Sequence, residues 1–151
     1  MEENIKEQLF NFCKEVTDTR VARIQENIKG YQNALHSETK SSAGDKHETG
    51  RAMIQLEIEK AGAQLAEAES VYKALKAVNI NTAIATIGLG NLVKTSMANY
   101  FIATSAGEFK YNNTTIYCIS PITPIGKLLF GKKVNDIVTF NKKEIQILEI
   151  L

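Results

Sequence analysis

Residues 54–75 read "IQLEIEKAGAQLAEAESVYKAL". Ile54, Ile58, Ala61, Leu65, Ala68, Tyr72 and Leu75 follow one another at steps of four and three. That is a heptad seam, and its alanines permit close approach of a partner helix. The positions outside it carry Glu57, Glu59, Lys60, Gln64, Glu67, Glu69 and Lys73. A helix with one narrow apolar stripe and a solvated remainder must cover that stripe against something else.

The partner lies upstream. Within residues 3–36 the apolar groups Ile5, Leu9, Phe12 and Val16 and then Val21, Ile24, Ile28, Tyr31 and Leu35 keep the same spacing, with one slip of phase between Val16 and Val21. No proline interrupts them. Two such helices joined by a short polar link predict an antiparallel hairpin in which each stripe covers the other. At 1.5 Å per residue, helices of ~30 residues make a rod roughly 45 Å long.

After Val78 the period changes. "GNLVKTSMANYFIATS", "GEFKYNNTTIYCIS", "DIVTF" and "EIQILEI" read as strands, with Gly, Asn and Ser at the breaks. "NKK" predicts a tight hairpin turn between the last two. "TPIGKLLFG" (123–131) predicts a short helix, with Thr123 as N-cap, Pro124 first and Gly131 as the stop. The expectation is an α+β chain: a two-helix coiled-coil hairpin over 1–79, with its tip at 41–50, then an antiparallel sheet carrying one helix over 80–151.

Bulk properties narrow the function classes. The net charge of +1 excludes a bulk electrostatic binder of nucleic acid or membranes. Residues 1–79 hold 11 Lys/Arg against 13 Asp/Glu, and residues 80–151 hold 7 against 4, so the second part is slightly basic. No apolar run approaches the ~20 residues of a membrane span. The opening "MEENIKEQLF" lacks a secretory pattern, which sets a cytoplasmic expectation. Cys13 and Cys118 fit no metal-ligand spacing and are expected as reduced, buried or half-buried thiols.

The tip, "SSAGDKHETG" (41–50), concentrates small residues around two acids, Asp45 and Glu48. The acids stand three apart ahead of a helical run, which fits a capping box and suits the positive end of the helix dipole. The same pair can hold a divalent ion. Mg²⁺ takes one or two protein carboxylates and completes its shell with water and phosphate oxygens, and a second ion can activate a water for attack on a phosphodiester. The two readings are compatible. His47 is a weaker ligand candidate, because Mg²⁺ prefers oxygen; His36 is assigned no chemistry.

Two stretches carry a family resemblance. "GDKHETG" (44–50) resembles a tip motif of Gly-Asp, two variable residues and Glu-Asn-Ala. "SPITPIGKLLFGKKVNDIVTF" (120–140) resembles a segment running from Ser-Pro-Ile/Leu-Gly through Gly-Lys to a Gly-Asp and a hydrophobic strand. Both belong to the bacterial Gre transcript-cleavage factors, whose layout the chain resembles over nearly its whole length. The resemblance implies a C-terminal FKBP-like domain that docks on RNA polymerase. It also implies a hairpin inserted through the polymerase secondary channel, and tip acids, here Asp45 and Glu48, that position catalytic Mg²⁺ and a water so that the polymerase cleaves backtracked nascent RNA. The Mg²⁺ is shared with the polymerase site, so the chain is a cofactor of another enzyme's reaction more than an enzyme itself. Thr123 and Pro124 match the docking segment. Lys40, Lys46 and Arg51 are candidate RNA contacts by position. A monomer is expected of a hairpin that enters a pore. Departures are Thr49-Gly50 in place of Asn-Ala, Arg51-Ala52 near an absent aromatic, and Ile122 in place of an acid.

Three other functions are compatible with parts of the pattern. A non-cleaving secondary-channel regulator would use the same body with an inert tip. A prolyl isomerase would need an aromatic-lined pocket, and the chain has no Trp. A coiled-coil adaptor would leave the tip acids without a purpose.

Overall fold

The computed structural model describes residues 2–40, 45–80 and 85–151, with side chains described over 5–38, 48–80 and 85–151. The elements run α1 (Glu2–Lys40), α2 (Asp45–Lys76), β1 (Leu92–Thr95), β2 (Asn99–Ile102), β3 (Gly107–Tyr111), β4 (Thr114–Ile119), α3 (Pro124–Leu129), β5 (Ile137–Phe140) and β6 (Lys143–Ile150). The α+β class and the expected elements are present.

By contact the chain divides into two compact units, Thr17–Lys73 and Met1–Val16 with Ala74–Leu151. A cut at 79/80 separates helix from strand; the contacts instead group the first turns of α1 and the end of α2 with the sheet. The division falls where the α1 stripe slips phase. Cys13 and Thr17, both buried, occupy the inward positions, while Phe12 and Val16 are half-buried beside them. The inward series is therefore Ile5, Leu9, Cys13, Thr17 and Val21, all at steps of four. Each such step advances about 40° around a helix of 3.6 residues per turn, so the inward face winds before it settles into alternating steps.

In the Thr17–Lys73 unit the helices run antiparallel. Ile24 of α1 is buried with Ala61 and Ala68 of α2, and Val21, Ile28, Tyr31 and Leu65 pack around them. The buried members are those of the heptad, and two of the three are alanines.

In the other unit the six strands lie in the order β3-β4-β2-β1-β6-β5. Neighbours are antiparallel except β2 and β4, which pair in parallel with Phe101 opposite Cys118. The expected all-antiparallel sheet is thus corrected to a mixed one. β3 lies at the edge, and β4 turns back from it to fill the place between β3 and β2, so β2 and β4 share a direction. The β3–β4 and β5–β6 hairpins close through two-residue turns at Asn112-Asn113 and Asn141-Lys142, all four residues at positive φ between 47° and 66°. That backbone matches the twist of the flanking strands, and asparagine tolerates it best.

Both faces of the central strands are covered, because successive side chains alternate sides. Leu92, Phe101, Ile116 and Cys118 meet Ile5, Leu9, Cys13 and Leu75. Val93, Ile102, Val138, Ile145 and Ile147 meet Ile87 and, from α3, Ile125 and Leu129. A single helix on the sheet, as the sequence reading expects, accounts for one face only. Phe12 and Phe109 add a tilted ring contact at 5.3 Å between centroids. Gly90 has φ of +84°, and a Cβ there would fall 2.6 Å from Val78 Cγ1, so both the backbone and the space require glycine. Among the described residues no helix is long and apolar enough to cross a membrane.

Candidate functional site

The tip is built where the two helices meet. α2 includes Asp45 as its first helical residue, one place further in than the N-cap position that a capping box requires. Asp45 and Glu48 therefore lie three apart inside the first turn, on one face of the helix, at the end where backbone N–H groups favour negative charge. The Glu48 side chain is exposed, and Arg51 is half-buried one turn further on. The side chains of Lys40, Asp45, Lys46 and His47 lie outside the described residues. Among the described residues, no three His, Cys, Asp or Glu side chains converge as a metal cluster. Of the two acids only the Glu48 carboxylate is described, and it is exposed; a hydrated Mg²⁺ takes one or two such groups and needs no all-protein cage.

A third acid belongs to this end of the hairpin. A Cβ on Gly50 would sit 3.5 Å from Glu38 Oε2, so the half-buried Glu38 carboxylate of α1 lies against the first turns of α2. Sequence reading passed over Glu38 because it stands before the small-residue stretch. Glu38 stands two residues before the end of α1 and Gly50 five after the start of α2, so no equal count from the turn pairs them and no sequence signal finds Glu38. The Gly50 contact is of ordinary van der Waals length, so the space beside Glu38 would also admit the alanine of the resembled tip motif.

The second predicted segment has a firm internal geometry. Thr123 is the N-cap of α3: its Oγ1 accepts from Gly126 N–H at 3.2 Å and donates to the Ser120 carbonyl at 2.7 Å. Pro124 follows at the first helical position, where no N–H is needed. The Phe130 N–H returns to the Gly126 carbonyl at 2.9 Å, and Gly131 takes a φ of +82° as the helix stops. A Cβ on Gly126 would run into the Ser120 carbonyl oxygen and lie 2.8 Å from Thr123 Oγ1, so the backbone turn before α3 and the cap together require glycine there. Of the two predicted docking residues, Thr123 is engaged within the fold. Pro124 is exposed, as is its neighbour Ile122 at 75%.

Concavities also lie elsewhere. A shallow one of about 330 Å³ within the Thr17–Lys73 unit is lined by Arg20, Arg23, Asn27, Gln64 and Glu67 among others, a polar set that the sequence reading did not single out. One of about 360 Å³ on the sheet unit is lined by Ile5, Leu92, Ile116 and Leu151 with Lys94, Asn99 and Tyr111 at its polar side.

No protein-family model matches the chain, and no curated protein matches it. Among solved structures it is similar to one described as the structure of the transcription factor Gfh1, at 20% identity over 91% of this chain and 92% of that one, with a TM-score of 0.39. At that level of identity and superposition no residue's role transfers from one chain to the other.

Proposed function

We propose that this protein is a Gre-type transcription factor: docked on RNA polymerase, it would carry Asp45 and Glu48 through the secondary channel and stimulate cleavage of backtracked nascent RNA. The observation that carries the reading is the position of the two acids. They share one face of the first turn of α2, at the end of a two-helix hairpin whose buried seam is built from alanine and single aliphatic side chains. The tip and α3 motifs of the sequence support the same assignment.

In this reading Asp45 and Glu48 hold and orient Mg²⁺ shared with the polymerase. Magnesium, when bound, supplies Lewis-acid activation of a water and of the phosphodiester. Lys40, Lys46 and Arg51 steer the RNA 3′ end, and the segment at Thr123 and Pro124 contacts the polymerase. The protein acts as a cytoplasmic monomer. Because Thr123 caps α3, the docking surface proper is Pro124 with Ile122 beside it.

The test uses backtracked elongation complexes of the cognate polymerase, assayed for RNA 3′-end cleavage with wild type and with Asp45→Asn/Glu48→Gln. Wild type is expected to stimulate cleavage. The variant should bind equally and lose stimulation on the order of 10²-fold or more, the scale on which a preorganised electrostatic stabiliser acts. Binding by both without cleavage by either would reject the cleavage role and leave a non-cleaving channel regulator.

A further inference from the structure

Cys13 and Cys118 stand 105 positions apart in the sequence, yet they share one buried cluster. Cys13 lies on α1 at 0% exposure and Cys118 on β4 at 2%, both as free thiols. The two thiols share a side-chain hydrogen bond, and the Thr104 backbone also hydrogen-bonds the Cys13 sulfur.

We propose that Cys13 and Cys118 are a redox-active dithiol that closes to an intramolecular disulfide, fastening the first turns of α1 to β4. Hydrogen-bonded within one buried cluster, the two sulfurs are neighbours, and closure requires them to leave that hydrogen bond and approach to an S–S distance of about 2.05 Å. The chemistry is asymmetric. The two hydrogen bonds lower the Cys13 thiol below its ordinary range, and the shared hydrogen bond together with burial raises Cys118. Cys13 is assigned as the nucleophile because the Thr104 backbone hydrogen bond reaches its sulfur and would stabilise its thiolate, the reactive form, and Cys118 resolves.

Hydrogen peroxide is the oxidant proposed, being small and uncharged enough to reach a buried pair during local opening. The Cys13 thiolate attacks one peroxide oxygen; an S–O bond forms, the O–O bond breaks, and the leaving hydroxide takes up a proton as water. Cys118 sulfur then attacks the Cys13 sulfenic acid. The S–S bond forms, the S–O bond breaks, and a second water leaves with the Cys118 proton. Two thiols lose two electrons and one peroxide gains them. A dithiol reductant reverses the bond by exchange.

The experiment treats the full chain with hydrogen peroxide, blocks remaining thiols with an alkylating agent, and maps the digest by mass. A peptide joining Cys13 to Cys118 within one chain is expected, its formation reversed by dithiothreitol, with the oxidised protein melting at a higher Tm than the reduced one. In Cys118→Ala, Cys13 should stop at the sulfenic acid and be trapped by dimedone, at least about tenfold faster than Cys118 is trapped in Cys13→Ala. The wild-type digest decides the matter even if a variant does not fold. Two thiols that survive peroxide in the folded chain and label only after denaturation would overturn the proposal. So would disulfides found only between chains.

Discussion

The two compact units bury very different side chains. Among the described residues of Thr17–Lys73 the buried apolar ones are Ile24, Ala61 and Ala68. In the sheet unit, Phe101, Leu9, Ile87, Leu92, Ile102, Ile116, Leu129, Ile145 and Ile147 are all below 2% exposure. Fully burying a large apolar side chain stabilises by about 1.5–3 kcal/mol, whereas an alanine contributes a single methyl group. The sheet unit is thus held by bulk on both faces of its central strands, and the hairpin by a narrow seam along two continuous helices. The lesson is that the hairpin gives up core volume for slenderness. Its acids are then carried on an element whose cross-section is set by alanine.

Three substitutions would break or sharpen that contrast. The largest effect belongs to Phe101→Ala, which empties the centre of the sheet unit and should cost about 3–5 kcal/mol, read as a fall in the denaturant midpoint. A loss below about 1 kcal/mol would mean that the core collapses around the gap, and the contrast with the hairpin would fail. Next comes Ala68→Leu, which overfills the seam and should cost about 1–3 kcal/mol. Its signature is local: amide exchange should quicken within 17–73 while the β1, β2 and β6 amides keep their protection. An unchanged or more stable hairpin would show that the seam has spare room. The smallest is Thr123→Ala, expected to cost about 1 kcal/mol by removing the α3 cap, with Thr123→Ser restoring most of the Tm. If Thr123→Ala leaves the Tm unchanged while weakening polymerase binding, the hydroxyl serves the partner and not the helix.

Local signals were legible in the sequence wherever they are periodic or carry turn chemistry. The heptad from Ile54 to Leu75 places Ala61, Ala68 and Leu75 at buried positions. The Thr123, Pro124 and Gly131 punctuation of α3 is found as expected. The "NKK" turn resolves to Asn141-Lys142, and Lys143 already belongs to β6. The tip acids were legible as a pair three apart at the start of α2, but not the fact that Asp45 is already helical rather than its cap. Glu38 was not, because its neighbour Gly50 is twelve positions away and on the other helix. Cys13, though expected as a buried or half-buried thiol, and Thr17 were left out of the α1 stripe for a different reason. Neither is a strong apolar signal, so Phe12 and Val16 took their places in the stripe and produced an apparent phase slip.

What the sequence determined by itself is the order of elements, the alanine seam, the capped α3 and the acid pair at the start of α2. Each follows from short-range physics: helix periodicity, the alternation of strands, and the hydrogen-bonding habits of Thr, Pro, Asn and Gly. What only the tertiary structure decided is the parallel pairing of β2 with β4, the grouping of residues 1–16 with the sheet, and the meeting of Cys13 with Cys118. These are contacts between residues far apart along the chain. They are selected by which buried surfaces fit together once the elements exist, and no local spacing encodes that choice.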